Sequence, residues 1–332
     1  MKKGAFIALV SLLALTMVVV GGFSVEQASA EGTLTLKVGH VLAPTHPYQL
    51  GLEKFAQLVS QKTGGKVVVQ VFHSSQLGNE REMIEGVQLG TLDMTLVSTA
   101  PLAGFSNKFL VFDLPFIFQS RSQAYKVLDG PIGTKIMESL DKNGIKGLAY
   151  WENGFRHLTN SKRPVNKPGD VKGLKIRTME NKIHMASFRA LGADPTPMAF
   201  GELFTALQQR VVDGQENPLP IIWTSNFFEV QKNLALTGHF YAAAPLLINK
   251  AIFEKMPKDV QQAIQEAAYE ARDYERGLIK EMDDDLVAKL KAKGMKITTP
   301  DKAAFLKAMQ PVYTQFEKEI GKDLIDQVRS VK

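Results

Sequence analysis

Three features of the 332-residue sequence predict an α/β protein of two units. Strand-like and helix-like segments alternate from residue 33 to residue 98, in the β-α-β-α-β order that builds a parallel sheet covered by helices. A second α/β unit begins near residue 174. Between Pro257 and about Lys293 a single helical stretch carries an apolar stripe that rotates around it, as a helix facing two different surfaces would.

The elements follow from local pattern. "TLTLKVGHV" (33–41) alternates β-branched and polar residues and reads as the first strand. The next segment, 46–65, is an amphipathic helix with Pro47 early, Gly64 and Gly65 at its end, and Leu52, Phe55, Leu58 and Val59 on one side. "KVVVQVF" (66–72) is a second strand, 80–90 a short helix closed by a glycine, and "LDMTLVS" (92–98) a third strand. Residues 124–144 read as helix and "IKGLAYW" (145–151) as strand. In the second unit, strand 174–177 precedes helices over 182–192 and 200–210, strand 211–216 and a helix over 221–233. "FYAAAPLLINK" (240–250) is apolar enough for a strand running back between the units. In the long helix Val260, Ile264, Ala267, Ala271, Tyr274 and Leu278 recur at steps of four and three, then Met282, Leu286 and Leu290 at steps of four.

The first thirty residues read as a leader rather than as part of the fold. Lys2 and Lys3 precede an apolar run, and Ala28-Ser29-Ala30 is a small-x-small cleavage site, with cleavage expected after Ala30. There is no cysteine, so disulfides, thiolate chemistry and a lipidated cysteine at the junction are excluded. The expected product is a freely diffusing periplasmic protein. Net charge is +6, but the basic residues are interleaved with acids and form no block with aromatics, so no nucleic-acid footprint is present.

Catalytic signatures are absent. The six histidines make no H-E-x-x-H pair, no G-x-S-x-G elbow occurs, and "GPIGTK" (130–135) lacks the spacing of a phosphate loop. Asp283, Asp284 and Asp285 are consecutive on a helix and splay around it as a solvated face. No metal site and no cofactor are expected. What remains is Arg177 at the end of a strand, Arg156 in "WENGFRHLTNS", and Asn217 just past "VVDGQE". Open α/β sheets bind ligands beyond the carboxyl ends of their strands. A guanidinium fork matches a carboxylate in two parallel hydrogen bonds, so the three residues together suit a small carboxylate. Taken singly, each arginine reads as readily as a structural ion pair.

The sequence resembles the DctP-type solute-binding subunits of tripartite ATP-independent periplasmic (TRAP) transporters. The motifs are "SSQLGNEREM" (74–83), "FDLPFIF" (112–118), "YWENGFRHLTNSKRPV" (150–165), "GLKIRT" (173–178), the run 191–219 ending in "DGQENPL", and "FFEVQKNLALTGH" (227–239). The resemblance covers essentially the whole chain after the leader. It implies two periplasmic-binding-protein-like α/β lobes joined by crossing strands and a long hinge helix, with the ligand cleft between them. On that basis residues 31–153 plus about 243–282 form the first lobe, and residues 154–242 plus about 283–332 the second.

The resemblance also implies roles. Arg177 is the bidentate carboxylate anchor, with Arg156 and Asn217 as further contacts. Sialate-binding members carry an acid where Ser98 sits, which argues against sialate and counts Ser98 among the cleft residues. His40, His46 and Glu80 are candidates for ligand hydroxyls or a distal carboxylate. Trp151, Trp223 and Phe228 read either as core or as an apolar wall for a hydroxylated chain or ring. The implied partners are a small carboxylate and the small and large TRAP membrane subunits, with the protein itself a monomer. The ligand leans to a sugar acid, with a C4-dicarboxylate as the alternative. An exported enzyme acting on carbohydrate acids is the contrasting class, for which Glu80 and His46 would supply an acid/base pair.

Overall fold

The computed structural model describes residues 33–332; the leader expected over residues 1–30 lies outside the described residues. Nine strands form one sheet: β1 Leu34–Gly39, β2 Val67–Phe72, β3 Met94–Leu96, β4 Ile145–Asn160, β5 Lys175–Thr178, β6 Asp194–Pro197, β7 Gly214–Asn217, β8 Asn233–Asn249 and β9 Lys296–Thr298. Their order is β2-β1-β3-β8-β4-β7-β5-β6, with β9 paired to β8. β1 runs parallel to β2 and β3, as the β-α-β-α-β reading requires. β5 likewise runs parallel to β6 and β7.

Two wings therefore flank a shared pair of long antiparallel strands. β4 has 16 residues and β8 has 17, each able to span about 50 Å. β3 pairs with β8 at Leu246–Ile248, whereas β7 pairs with β4 at His157–Asn160. Between those points β4 and β8 pair with each other, and their register shifts between Glu152 and Gly154 and again between Arg156 and Leu158. Gly154 takes φ +118, which a side chain would strain, so the bulge that bends the strand between the wings falls on a glycine.

Both crossing strands are longer than the sequence suggests. The reading over 145–151 stopped at "ENGFR", and the reading over 240–250 began late, because polar residues in these stretches break the apolar pattern. In the fold Glu152, Asn153 and Arg156 are buried, and Glu152 and Arg156 pair with β8.

Two helical readings divide. Residues 124–144 break at Gly130-Pro131 into Arg121–Leu128, Pro131–Met137 and a 3-10 turn. A Cβ on Gly130 would lie 2.5 Å from the Lys126 carbonyl. Residues 221–233 divide into Leu219–Thr224 and Phe227–Val230 around Asn226, which is left-handed at φ 54. β6, "DPTP", has two prolines and escaped the pattern; it is tolerated because it lies at the sheet edge.

The long helix spans Lys258–Ala292, 35 residues and about 52 Å. It packs on helix Pro47–Lys62 and β4, and also on helix Leu219–Thr224 of the second unit, so it does bridge both. Its stripe differs from the expected one in the middle. Tyr274 is exposed, and Glu275, Arg276 and Ile279 are buried instead. Residues Thr33–Lys332 form one compact unit, consistent with a shared sheet and helix.

Candidate functional site

Where the wings meet, a narrow cavity opens among residues of both. Arg177 from β5 and Asn217 from β7 come from the second wing, Asn153 and Arg156 from the crossing strand, and Tyr48 and Glu80 from helix N-termini of the first wing. Leu42, Phe200 and Ile221 supply apolar wall. A second space shares Glu80, Arg177 and Phe200 and adds Arg81 and Glu180.

Arg177 is 2% exposed, and its Nε and Nη2 both donate to the Met198 carbonyl at 2.9 and 2.7 Å. Among the described residues no carboxylate forms an ion pair with it. Burial, reinforced by the Arg156 charge, lowers its pKa to about 10. Glu216, Glu80 and Glu180 act on it from beyond ion-pair distance and offset part of that fall.

Arg156 is differently held. It sits inside β4 rather than at a strand exit, because that strand continues through the crossing. Its Nη2 donates to Glu216 Oε1 at 2.8 Å, to the Glu216 carbonyl at 2.7 Å and to Asn217 Oδ1 at 3.0 Å, and its Nε donates to Glu216 Oε2. Burial pushes the Glu216 carboxyl up, but Arg156 and the His239 ring, whose Nε2 lies 3.4 Å from Oε2, outweigh it and hold the group well below the usual range. Nη1 of Arg156 is buried with no protein partner. Glu216 thus neutralises Arg156 and fixes its plane, leaving Nη1 without a protein partner. Sequence reasoning missed Glu216, although it lies within "DGQENP" beside Asn217.

Glu80 opens helix Glu80–Leu89, capped by Asn79, and its Oε1 accepts from the Ser98 backbone N–H at 2.7 Å. Burial pushes its pKa up, while that hydrogen bond, Arg177 and Arg156 hold it back. The Tyr48 hydroxyl and Asn153 Oδ1 are buried without protein partners. Neither was foreseen; Tyr48 merely follows the proline that opens its helix.

The structure brings Arg177, Arg156, Asn217 and Glu80 together. Six other expected residues do not line the cavity. His40 is spent on Gln49, at 2.9 Å, and on the Leu42 N–H, and burial lowers its pKa to about 4. His46 caps helix Pro47–Lys62 and stands edge-on to Tyr48, 4.8 Å between centroids, so it acts on the cavity only through that ring. Ser98 touches it only through the hydrogen bond to Glu80. Trp151 is core: it packs on Gly51 under the long helix and donates to the Ala268 carbonyl at 3.3 Å. Trp223 and Phe228 stack on each other at 5.3 Å, with Lys293 over both rings, and remain half-buried away from the cavity. Of the two readings for these three, core or ligand wall, the structure places none on the cavity; its aromatics are Tyr48 and Phe200, the latter 6.0 Å from Arg177.

Among the described residues no group of histidines and acids could hold a metal ion, and no helix is long and apolar enough to cross a membrane. A larger groove lies elsewhere, between the long helix and residues 128–150; of its charged residues Asp129 and Arg272 pair at 3.4 Å, and Glu138, Asp141 and Lys146 also line it.

Fold and site together define a two-lobed receptor for a small anion. The chain belongs to the bacterial extracellular solute-binding protein family 7, the DctP family, whose profile matches residues 38–319. It is 38% identical over 317 residues to the 2,3-diketo-L-gulonate-binding periplasmic protein YiaO of Escherichia coli, covering 94% of this chain and 97% of that one. A TRAP periplasmic solute-binding protein of Polaromonas sp. JS666, bound to D-erythronate, superposes with TM-score 0.89 and 43% identity over 90% of this chain and 99% of that one. One from Sulfurospirillum deleyianum, with bound succinate, gives TM-score 0.86 and 39% identity over 90% and 99%.

Proposed function

We propose that this protein captures a small organic acid, by preference a sugar acid, in the periplasm and delivers it as a monomer to the two membrane subunits of a TRAP transporter. The observation that carries the reading is Arg177, a buried cation lining the cavity with which, among the described residues, no acid forms an ion pair. The ligand's carboxylate would occupy that place, taking a second hydrogen bond from the free Nη1 of Arg156. Asn217 holds Arg156 in position and borders the same space.

Binding acts by bridging the lobes, residues 31–153 plus about 243–282 against residues 154–242 plus about 283–332. A ligand that contacts both shifts the population from open to closed, with the long helix and β4–β8 as the connection that bends. The relatives that bind D-erythronate and 2,3-diketo-L-gulonate favour a sugar acid. The succinate-bound relative favours the second reading, a C4-dicarboxylate.

A thermal-shift screen of the purified protein tests this. A ligand that binds only the folded form raises the melting temperature with concentration. Monocarboxylates, dicarboxylates and sugar acids should include at least one that does so; no shift with any of them contradicts the reading.

A further inference from the structure

We propose that the end of the second wing farthest from the cavity is a docking surface for an anionic lipid bilayer.

Sheet topology gathers basic side chains there. β5 and β7 run toward the cavity, which Arg177 and Asn217 reach from near their last residues. Their first residues, Lys175 and Gly214, therefore lie at the other end, about 10 Å away. β4 runs the opposite way and finishes at that end, where Asn160 pairs with Gly214 and with Asn233. β9 starts there: Lys296 pairs with Asn233, and its N–H donates to the Lys232 carbonyl. The connection from β4 to β5 adds Lys162, Arg163, Lys167 and Lys172. From β9 to β5 is four strand spacings, about 19 Å. All seven cations are exposed. The same strand ends and connection carry three acids, Asp170, Asp194 and Asp213, which leaves an excess of four positive charges in a chain of net charge +6.

These charges are largely unspent. Among the described residues only Lys162 of the seven forms an ion pair, with Asp213 at 3.3 Å. The Asp170 carboxylate is taken by the N–H groups of Asn166 and Lys167. Asn160 Oδ1 accepts from the N–H groups of Lys162 and Arg163, and Arg163 Nε donates to the Asp170 carbonyl at 2.8 Å. These bonds hold the connection in shape and neutralise nothing. The matching end of the first wing is built differently: there Lys62 pairs with Glu266 and Glu270, and Lys250 with Glu254.

The kind of cation points to the partner. Protein interfaces favour arginine and aromatics and deplete lysine, whereas this patch has six lysines and one arginine. Point charges spread over such a width suit many anionic headgroups rather than one bidentate anion. Val211, 54% exposed on the turn into β7, stands at the same end as an apolar side chain able to enter the headgroup layer.

Vesicle co-sedimentation of the exported, purified protein tests the assignment. Vesicles of phosphatidylcholine with about 40% phosphatidylglycerol should bind it at least tenfold more tightly than phosphatidylcholine alone at about 50 mM salt, and binding should be lost at about 300 mM. The triple variant Lys167→Glu, Lys175→Glu, Lys296→Glu should lose roughly tenfold or more in vesicle affinity, with its melting temperature and its thermal response to organic acids unchanged. A control triple on exposed lysines of the first wing, Lys108→Glu, Lys135→Glu, Lys255→Glu, changes net charge equally and should lose at most about threefold. No preference for the anionic vesicles, or equal losses in the two triples, overturns the proposal. Poly-L-glutamate bound more tightly than the vesicles overturns it in favour of an acidic protein partner.

Discussion

Arg177 and Arg156 look alike in sequence, and the fold gives them different circumstances. Arg156 is held by Glu216, which takes the Nε–Nη2 edge of its guanidinium and leaves Nη1 free. Arg177 has only a backbone carbonyl. The partner of a buried cation is a matter of three-dimensional placement, sixty residues away for Arg156, so no local motif distinguishes the two. Trp151 carries the opposite lesson. Its aromatic bulk left core and ligand wall both open, and the fold decides for core: a Cβ on Gly51 would lie 2.7 Å from its ring, so glycine and indole are matched core partners. Gly51→Ala should therefore destabilise the protein by about 1–3 kcal/mol through overpacking, measured by urea unfolding, with ligand affinity unchanged. Wild-type stability in that variant would show that the ring can shift.

At the scale of elements, the long helix and the crossing strands were legible in outline but not at their centre. The rotating apolar stripe foretold a bridge between two units, and the helix does touch both. It could not foretell that the middle of the stripe is charged. There Arg121 pairs with Glu152 of β4 at 2.7 Å and with Asp283 of the long helix, Tyr125 also bonds Glu152, and Arg276 pairs with Asp129. Burial, with Glu152 adding to it, pushes the Glu275 carboxyl well above the usual range, and its Oε2 accepts from the Glu152 backbone N–H. Asp283, read from sequence as part of a solvated face, is raised by burial to about 6 despite Arg121. Such buried acids break hydrophobic periodicity, which is why the pattern misplaced Tyr274 and cut β4 short. Arg121→Met removes the shared cation and leaves Glu152 and Asp283 uncompensated. It should cost about 3–5 kcal/mol of stability in urea unfolding. A loss under about 1 kcal/mol would mean that the ion pairs merely break even with an apolar contact.

On the scale of the whole molecule, the alternation of strands and helices fixed the class of fold, while the joining of both wings into one sheet rested on tertiary pairing of β4 with β8. The same burial shapes the response to pH. His40 is lowered to about 4 and His157 to about 3, in both cases mainly by burial, and His46 and His239 are lowered as well. A depressed histidine stabilises the fold fully above its unfolded value near 6.5, and that contribution is lost as pH falls toward the folded value. Asp283, Glu80 and Glu275 are raised and act in the opposite direction. His157→Asn should therefore lessen the acid destabilisation between pH 7.5 and pH 5 by about 2 kcal/mol, read from urea unfolding at the two pH values. An unchanged pH dependence would show that the folded protein protonates His157 as readily as the unfolded chain does.

Capture of a carboxylate by Arg177 is tested most directly by calorimetric titration of the wild type and Arg177→Ala with whichever organic acid the thermal screen shows to bind best. Loss of one partner of a buried pair costs roughly 3–5 kcal/mol, so affinity should fall by several hundred- to several thousand-fold. The unliganded variant should melt no lower than the wild type, because a buried cation without a carboxylate partner has been removed. Near-wild-type affinity in Arg177→Ala would contradict the account.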